Sequence, residues 1–448
     1  MTRIKQAGPT VLFVASIAGL VGYFLGGSGE SPHTVSNVEA QEASARNEVV
    51  TAQETSAASV SSTVATETKP KITPTGKMSD PSVYFPGTEE LASDEMRVVA
   101  CGTGMPTARA SQAASCWLVE LGNGDKFLFD AGTGSAERVA SMRIPYDYLN
   151  KIFISHLHTD HFGDFAAYFI GGWVAGRQGP LHIYGPSGDR HELGTQYAIE
   201  HWEKALSWDI EGRAGRLPAS GGKVIVHEFD YKGENAIVYE QNGVTIRSWP
   251  ANHVINGSVS YSLEWNGLKF VFGGDTYPNQ WYDEYARDAD IAIHECFIDV
   301  PNMIEKFGFS VSNALEVGTQ IHTAPEAFGK VMSGIQPRLA VAYHFFNDPD
   351  TAPPILAGIR ATYDGPLSLA EDYMVWNVTK DDIRVRMAAI NEDMWPPPAP
   401  QAPPPVDRSI TKYTSDWIVE KNLDVSQEVQ RIYDRTNKQY GTNEQPNQ

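Results

Sequence analysis

Over the middle of the chain, apolar residues alternate with polar ones in short runs broken by glycine and asparagine turns. Residues 96–100, 117–121, 126–129 and 151–155 read as strands, the second and third paired around Gly122-Asn123-Gly124. The period becomes helical over 162–174, returns to a strand at 181–184, and is helical again over 196–205. Five strands follow at 223–227, 237–240, 244–249, 258–265 and 268–273, the last two joined by Asn266-Gly267. The pattern then alternates: strand 291–294, helices near 316–322 and 324–334, strand 339–343. Mixed sheet with outer helices is the α/β class this order implies. The turns Gly102-Thr103-Gly104 and Gly132-Thr133-Gly134 do not complete G-x-G-x-x-G, so no dinucleotide fingerprint is present.

The pattern fails at both ends. Arg3 and Lys5 precede an apolar run over 11–25, followed by Gly26 and Gly27. With no small-x-small cleavage site close behind, 1–27 reads as a membrane anchor more than as a cleaved signal. Residues 28–93 hold few aromatics and much Ser, Thr, Ala and Glu, a composition expected of a disordered tether. The globular unit is expected over 94–395, placed outside the cytoplasm and in the periplasm. Residues 396–448 begin with seven prolines in ten and continue with a helically spaced tail, including Trp417, Val429 and Ile432, that docks on the core or frays.

Composition narrows the chemistry. Hydrophobic residues make up 42% of the chain, enough for a real core, and the formal net charge is 35 − 55 = −20, which argues against a broad phosphate-binding surface. Three cysteines, Cys101, Cys116 and Cys296, allow one bridge at most, and Cys296 reads as a small buried hydrophobe. Three of the twelve histidines stand in one phrase, His156-Leu157-His158-Thr159-Asp160-His161, between a strand and a helix. His156 and His158 share a side by the strand period. Later strands end in His253, Asp275 and His344. Imidazoles and carboxylates gathered at strand ends form a set suited to divalent metal, zinc first, with manganese and iron as other occupants.

This set resembles the metallo-β-lactamase superfamily over about residues 96–380. Within it, Cys101-Gly-Thr-Gly104, Phe129-Asp130-Ala-Gly132, Pro180-Leu-His-Ile-Tyr-Gly-Pro186, Gly274-Asp275-Thr276, Ile293-His294-Glu295, His322-Thr323 and His344-Phe345 are similar to the tRNase Z and arylsulfatase branch. Closer still, the chain resembles a bacterial group named after guanitoxin biosynthesis. The resemblance implies an αββα sandwich with two divalent ions, most readily Zn²⁺. His156, His158 and His253 would hold one ion, and Asp160, His161 and His344 the other. Asp275 would bridge them, and Asp130 would orient the ligand loop. It also implies that His294 protonates the leaving oxygen with Glu295 as its orienter, the alternative being that His294 is a buried hydrogen-bonding residue at a strand end. It implies further that Asp160 belongs to the catalytic set, and that His322 supports them from behind the ligands.

The expected function is hydrolysis of small phosphate or sulfate esters by a hydroxide shared between two metals. Lactone or β-lactam hydrolysis on the same site and a non-catalytic metal-binding scaffold are the alternatives. In tRNase Z an RNA-gripping arm lies between the positions matching His253 and Asp275. Here 21 residues separate them, and two strands use nearly all of that interval. The expected partners are therefore a small-molecule ester, the inner membrane through the N-terminal segment, a second copy of the chain as an option, and no nucleic acid. Residues 188–242, with Trp202, Trp208, Arg213 and Arg216, read either as an aromatic lid or as a packed insertion. Phe162, Tyr277, Trp281, Phe345 and Phe346 flank the ligands, some as core and some as pocket lining.

Overall fold

A computed structural model describes residues 82–446 other than 413. The apolar run at 11–25 and most of the tether lie outside the described residues; among those described, no helix is long and apolar enough to cross a membrane. Two sheets face each other. The nine-stranded sheet runs in the order Ser82–Tyr84, Ile383–Ala388, Met374–Val378, Met96–Gly102, Cys116–Leu121, Lys126–Phe129, Lys151–Phe153, Leu181–Pro186, Val224–Phe229. The seven-stranded sheet runs Leu367–Leu369, Leu339–Tyr343, Ile291–Glu295, Leu268–Phe272, Val259–Trp265, Val244–Pro250, Ala236–Gln241.

Strand periodicity builds three layers of core from these sheets. In Val259–Trp265 the residues Val259, Tyr261, Leu263 and Trp265 enter the cluster between the sheets, while Ser260 turns the other way and donates to the carbonyl of Gly273 at 2.7 Å. In Met96–Gly102, Val98 and Ala100 face the inter-sheet core, and Val99 and Cys101 face a second cluster with Phe165, Phe169 and Trp173 of the outer helical stretch. The seven-stranded sheet does the same: Phe270 and Ile293 point inward, while Val271 and Ala292 pack against Tyr282, Phe328 and Ile359 of the helices Gln280–Tyr285, Pro325–Ile335 and Ala352–Arg360. Helix, sheet, sheet, helix is the metallo-β-lactamase sandwich.

Turn chemistry fixes the register. Asn266 (φ 52°) and Gly267 (φ 75°) join Trp265 to its partner Leu268, the two left-handed residues a type I′ hairpin needs. Asn242 and Gly243 repeat the device between Gln241 and Val244. Several expectations shift. The strand Ser82–Tyr84 pairs in parallel with Ile383–Ala388, so the fold begins inside the stretch assigned to the tether. It is held there because the Tyr84 ring lies between the Arg97 and Arg386 guanidiniums, at 4.5 and 5.0 Å. The segment 188–242 is a packed insertion: its strands Val224–Phe229 and Ala236–Gln241 extend one sheet each. Trp202 packs 6.0 Å from Phe165, and Trp208 is 87% exposed, so neither forms a lid. The tail helices Asp416–Val419 and Ser426–Tyr440 are mostly exposed, with Trp417 73% exposed and Val429, Tyr433 and Asn437 half-buried. Cys101 and Cys116 form the single bridge among the described residues, with Cα atoms 5.0 Å apart, and Cys296 is a buried thiol.

The helical stretch that carries Asp160 and His161 is pinned at its far end by Arg177. This side chain is 1% exposed and donates to the carbonyls of Tyr168 (2.7 Å), Phe169 (2.8 Å) and Gly221 (3.0 Å). Its charge is satisfied by carbonyls, and burial lowers its pKa to about 10. Arg177→Met leaves those carbonyls buried and unpaired. The expected cost is about 2–4 kcal/mol in urea unfolding; a change below about 0.5 kcal/mol would show that the staple is dispensable.

Candidate metal centre

Each expected ligand stands just beyond a strand. His156, His158, Asp160 and His161 follow Lys151–Phe153, His253 follows Val244–Pro250, Asp275 follows Leu268–Phe272, and His344 follows Leu339–Tyr343. The edges of the two sheets are tied where these loops meet: Val259 N donates to Ser155 O at 3.0 Å, and the Tyr261 hydroxyl to Ile154 O at 2.6 Å.

The ligands gather into two groups that share one carboxylate. His156, His158, His253 and Asp275 offer donor atoms within 4.8 Å of one another, and so do Asp160, His161, Asp275 and His344. His253 Nε2 is 3.3 Å from His158 Nδ1 and 3.7 Å from Asp275 Oδ2. On the other side His161 Nε2 is 3.2 Å from Asp275 Oδ1, and His344 Nε2 is 3.2 Å from both Asp275 Oδ2 and Asp160 Oδ2. Asp275 thus touches both groups.

The donors fit divalent cations. Nε2 of His156, Nε2 of His161 and Oδ1 of Asp275 are buried without a hydrogen-bond partner among the described residues, which is costly unless a cation satisfies them. Burial pushes the His156 imidazole well below its usual range, and the charges of His161 and His253 add to this. Burial takes His253 down to about 3. Burial alone would raise the Asp275 and Asp160 carboxyls, but the His161 charge outweighs it and holds both well below the carboxylate range. Neutral His156 and His253 beside ionised carboxylates are the states a metal needs. Burial alone would lower His161, but the Asp275, Asp160 and Asp130 carboxylates hold it well above its usual range, with a proton that a bound cation would displace.

The backing of the ligands is explicit. Asp130 lies 2.5 Å from His161 Nδ1 and accepts from Ser155 N (2.7 Å) and Ser155 Oγ (2.9 Å); Ser155 Oγ in turn lies 3.1 Å from His156 Nδ1. One carboxylate therefore orients a ligand of each group. His344 holds φ 73°, a left-handed conformation uncommon outside glycine. Its N–H donates to Thr103 O at 3.0 Å, and Gln112 Nε2 donates to Phe345 O at 2.8 Å. Thr103 is itself fixed by Asp372, which accepts from its N–H at 3.0 Å and its hydroxyl at 2.9 Å. Ser155, Thr103, Gln112 and Asp372 were not legible as site residues. Asp372 carries no motif, and its partner lies 269 positions away.

His294 takes the alternative reading of a buried hydrogen-bonding residue, and His322 comes nearer the ligands than a supporting place behind them. His294 does not join the ligand groups: its ring packs at 4.6 Å against Tyr282 and 5.9 Å against Phe328 in the outer core, and Nδ1 donates to Glu295 O at 2.7 Å. His322 turns into the site instead. Its ring stacks on Phe297 at 4.1 Å and stands 5.1 and 5.2 Å from His253 and His344. Its Nδ1 is 2.6 Å from Glu295 Oε2, while Glu295 Oε1 accepts from Thr276 N at 2.7 Å. Asp275, Glu295, His322 and His344 also lie within ligand range of one another. Both Glu295 oxygens are engaged by hydrogen bonds, however, so the pair reads as an oriented imidazole. Among the flanking aromatics, Phe162 and Phe345 are core, and Tyr277 and Phe346 are half-buried.

The family model described as anti-Pycsar protein Apyc1 matches residues 96–305. Ribonuclease Z of Mycolicibacterium gilvum is 30% identical over 205 residues, covering 44% of this chain and 68% of the relative. Ribonuclease Z of Mycobacterium marinum is 29% identical over 205 residues, covering 44% and 70%. The metallo-β-lactamase-fold protein YhfI of Bacillus subtilis superposes with a TM-score of 0.48 at 18% identity, over 64% of this chain and all of that one. The two relatives named ribonuclease Z act on nucleic acid, which overturns the expectation that nucleic acid has no part here. That expectation rested on net charge and on the missing arm. A net charge sums the whole chain and does not describe the field at one metal-lined mouth.

Two outcomes follow from this geometry. Asp130→Asn is expected to weaken metal retention about 10–100-fold in a chelator competition, and unchanged retention would remove Asp130 from the ligand support. Burial lowers His294 to about 4 in the fold. Between about pH 6.5 and pH 4 the unfolded chain binds a proton that the folded chain refuses, so stability falls as pH falls through that window. The urea midpoint should therefore drop less on acidification in His294→Leu than in the wild type. Equal drops would mean that His294 is not buried neutral.

Proposed function

We propose that this chain, which belongs to the ribonuclease Z family of metallo-β-lactamase-fold hydrolases, is a two-zinc phosphodiesterase acting on esters of nucleotides. The observation that carries the reading is the single Asp275 carboxylate shared by two imidazole groups, with the Glu295–His322 pair beside it. A cation pair held there supplies Lewis acidity toward a phosphoryl oxygen and lowers the pKa of the attacking water. His156, His158 and His253 would hold one ion, Asp160, His161 and His344 the other, and Asp275 both.

The protein's own groups do the rest. Glu295 holds His322 by Nδ1, which leaves Nε2 as the ring nitrogen free to meet the substrate. Burial lowers the His322 imidazole and raises the Glu295 carboxyl, so Glu295 keeps the proton. It donates that proton to Nδ1 as the Nε2–H of His322 passes its own to the leaving oxygen, the general-acid role the resemblance implied for His294. Phe297 stacks flat on the His322 ring, with an interplanar angle of 4°, and stops it from swinging away from Glu295. Thr323 O accepts from Phe297 N at 2.8 Å, and the Thr323 hydroxyl donates to Thr276 O at 2.7 Å, which ties the acid's loop to the loop of the bridging aspartate. The short 253–275 interval supports action on small phosphodiesters, and the ribonuclease relatives support action on RNA ends; both substrates present the same group to the metals.

The test compares leaving groups. His322→Ala is expected to lower turnover of a phosphodiester with an alkoxide leaving group by about 10²–10⁴, and turnover of bis(p-nitrophenyl) phosphate only slightly, because nitrophenolate leaves without a proton. His294→Ala should show no such split. Equal losses on both esters in His322→Ala would remove it from the acid role, and no turnover of either ester by the zinc-loaded wild type would overturn the phosphodiesterase reading.

A further inference from the structure

The loop that delivers His253 carries a conformation that the ligand itself does not require. Val254, the next residue, has φ 37°, in the left-handed region where a β-branched side chain is a rare outlier. Its side chain is not thereby buried: Val254 and Ile255 are each 61% exposed. Strain that gives no packing in the fold points to use by a ligand.

These two side chains border a cavity of about 270 Å³ whose other walls are Leu157, Pro186 and Leu193, and which opens onto His158 and His253. The cavity therefore adjoins the first metal group directly. Its volume lies just under the roughly 300–1,000 Å³ of sites for drug-sized ligands, so it takes one ring system and not a long chain. No lysine or arginine lines it. Besides the ligand histidines, its polar groups are Glu192, Asn256 and Ser258: a carboxylate that only accepts hydrogen bonds, an amide and a hydroxyl. A second phosphate would be repelled there, whereas a flat ring with N–H donors on its edge would be held on both face and edge. The wall is braced from behind: Asn256 Nδ2 donates to Asp189 Oδ2 at 2.8 Å, and the Tyr231 hydroxyl bonds the other oxygen of Asp189. Both anchors lie in the packed insertion, which gives that segment a task at the site without making it a lid.

We propose that this cavity is a nucleobase pocket and that Val254 and Ile255 are its specificity-determining wall. The inference rests on the phosphodiesterase reading above and adds to it which part of the substrate lies on the His253 side. The test is calorimetry on the zinc-loaded full chain with two ligands: thymidine 5′-monophosphate and 1,2-dideoxyribose 5-phosphate, which lacks the base. The wild type is expected to bind the nucleotide at least about 10-fold more tightly than the base-free phosphate. Ile255→Ser and Val254→Gly are each expected to shrink that preference about 10-fold, the scale of lost aliphatic contact in a pocket. Val254→Gly should not lower Tm, because glycine takes φ 37° without strain; this separates a lost contact from a lost fold. Equal affinity of the wild type for the two ligands, or parallel weakening of both in Ile255→Ser, would overturn the pocket. Base preference in binding without turnover of any phosphodiester would instead overturn the phosphodiesterase reading alone.

Discussion

Asp275 has to stand between two groups of imidazoles, and its place depends on an approach of two loops that only glycine permits. Gly274 before it holds φ 61°, and a Cβ there would lie 2.7 Å from the Cβ of Ser155. Ser155 is the residue that Asp130 grips, and it begins the phrase carrying four ligands. The loop of one sheet and the loop of the other are thus pressed together where the shared carboxylate stands. Two like charges brought there as cations would repel strongly in a buried site, and a carboxylate common to both offsets that repulsion.

The rest of the architecture serves this approach. The inter-sheet core, with the rings of Phe153, Tyr261 and Phe272 each against Phe129, fixes the separation of the sheets. Arg177 anchors the helical stretch behind Asp160 and His161, and the Asp372–Thr103 pair holds the strained backbone of His344. Three of the ten non-glycine residues with positive φ among the described residues, Asp130 (φ 61°), Val254 and His344, stand within the centre or beside it. Such conformations persist only where surrounding bonds over-determine them.

Much of this was legible in the chain. Ligands one to five positions apart, such as His156 to His161, are placed by strand and turn periodicity alone, and the Asn266-Gly267 hairpin declares itself by two residues. What escaped depends on contacts between distant segments. Whether His294 or His322 faces the metals turns on the direction of one side chain at the end of Ile291–Glu295, and both neighbours in that pair are buried. Alternation puts His294 and Glu295 on opposite faces of their strand, and the site takes the Glu295 face. The pairing of Ser82–Tyr84 with Ile383–Ala388 joins residues some 300 positions apart, and no local pattern announces it. The insertion's two strands were legible at 223–227 and 237–240, but that each closes the edge of a different sheet was not, because strand order is set by pairing between segments and not by the pattern within one.

Anomalous diffraction at the zinc edge, from crystals grown with the ion, tests the shared carboxylate most directly. Two peaks are expected, one among His156, His158 and His253 and one among Asp160, His161 and His344, each about 2.0–2.2 Å from Asp275. A single peak, or a peak bound by Glu295 and His322, would contradict it.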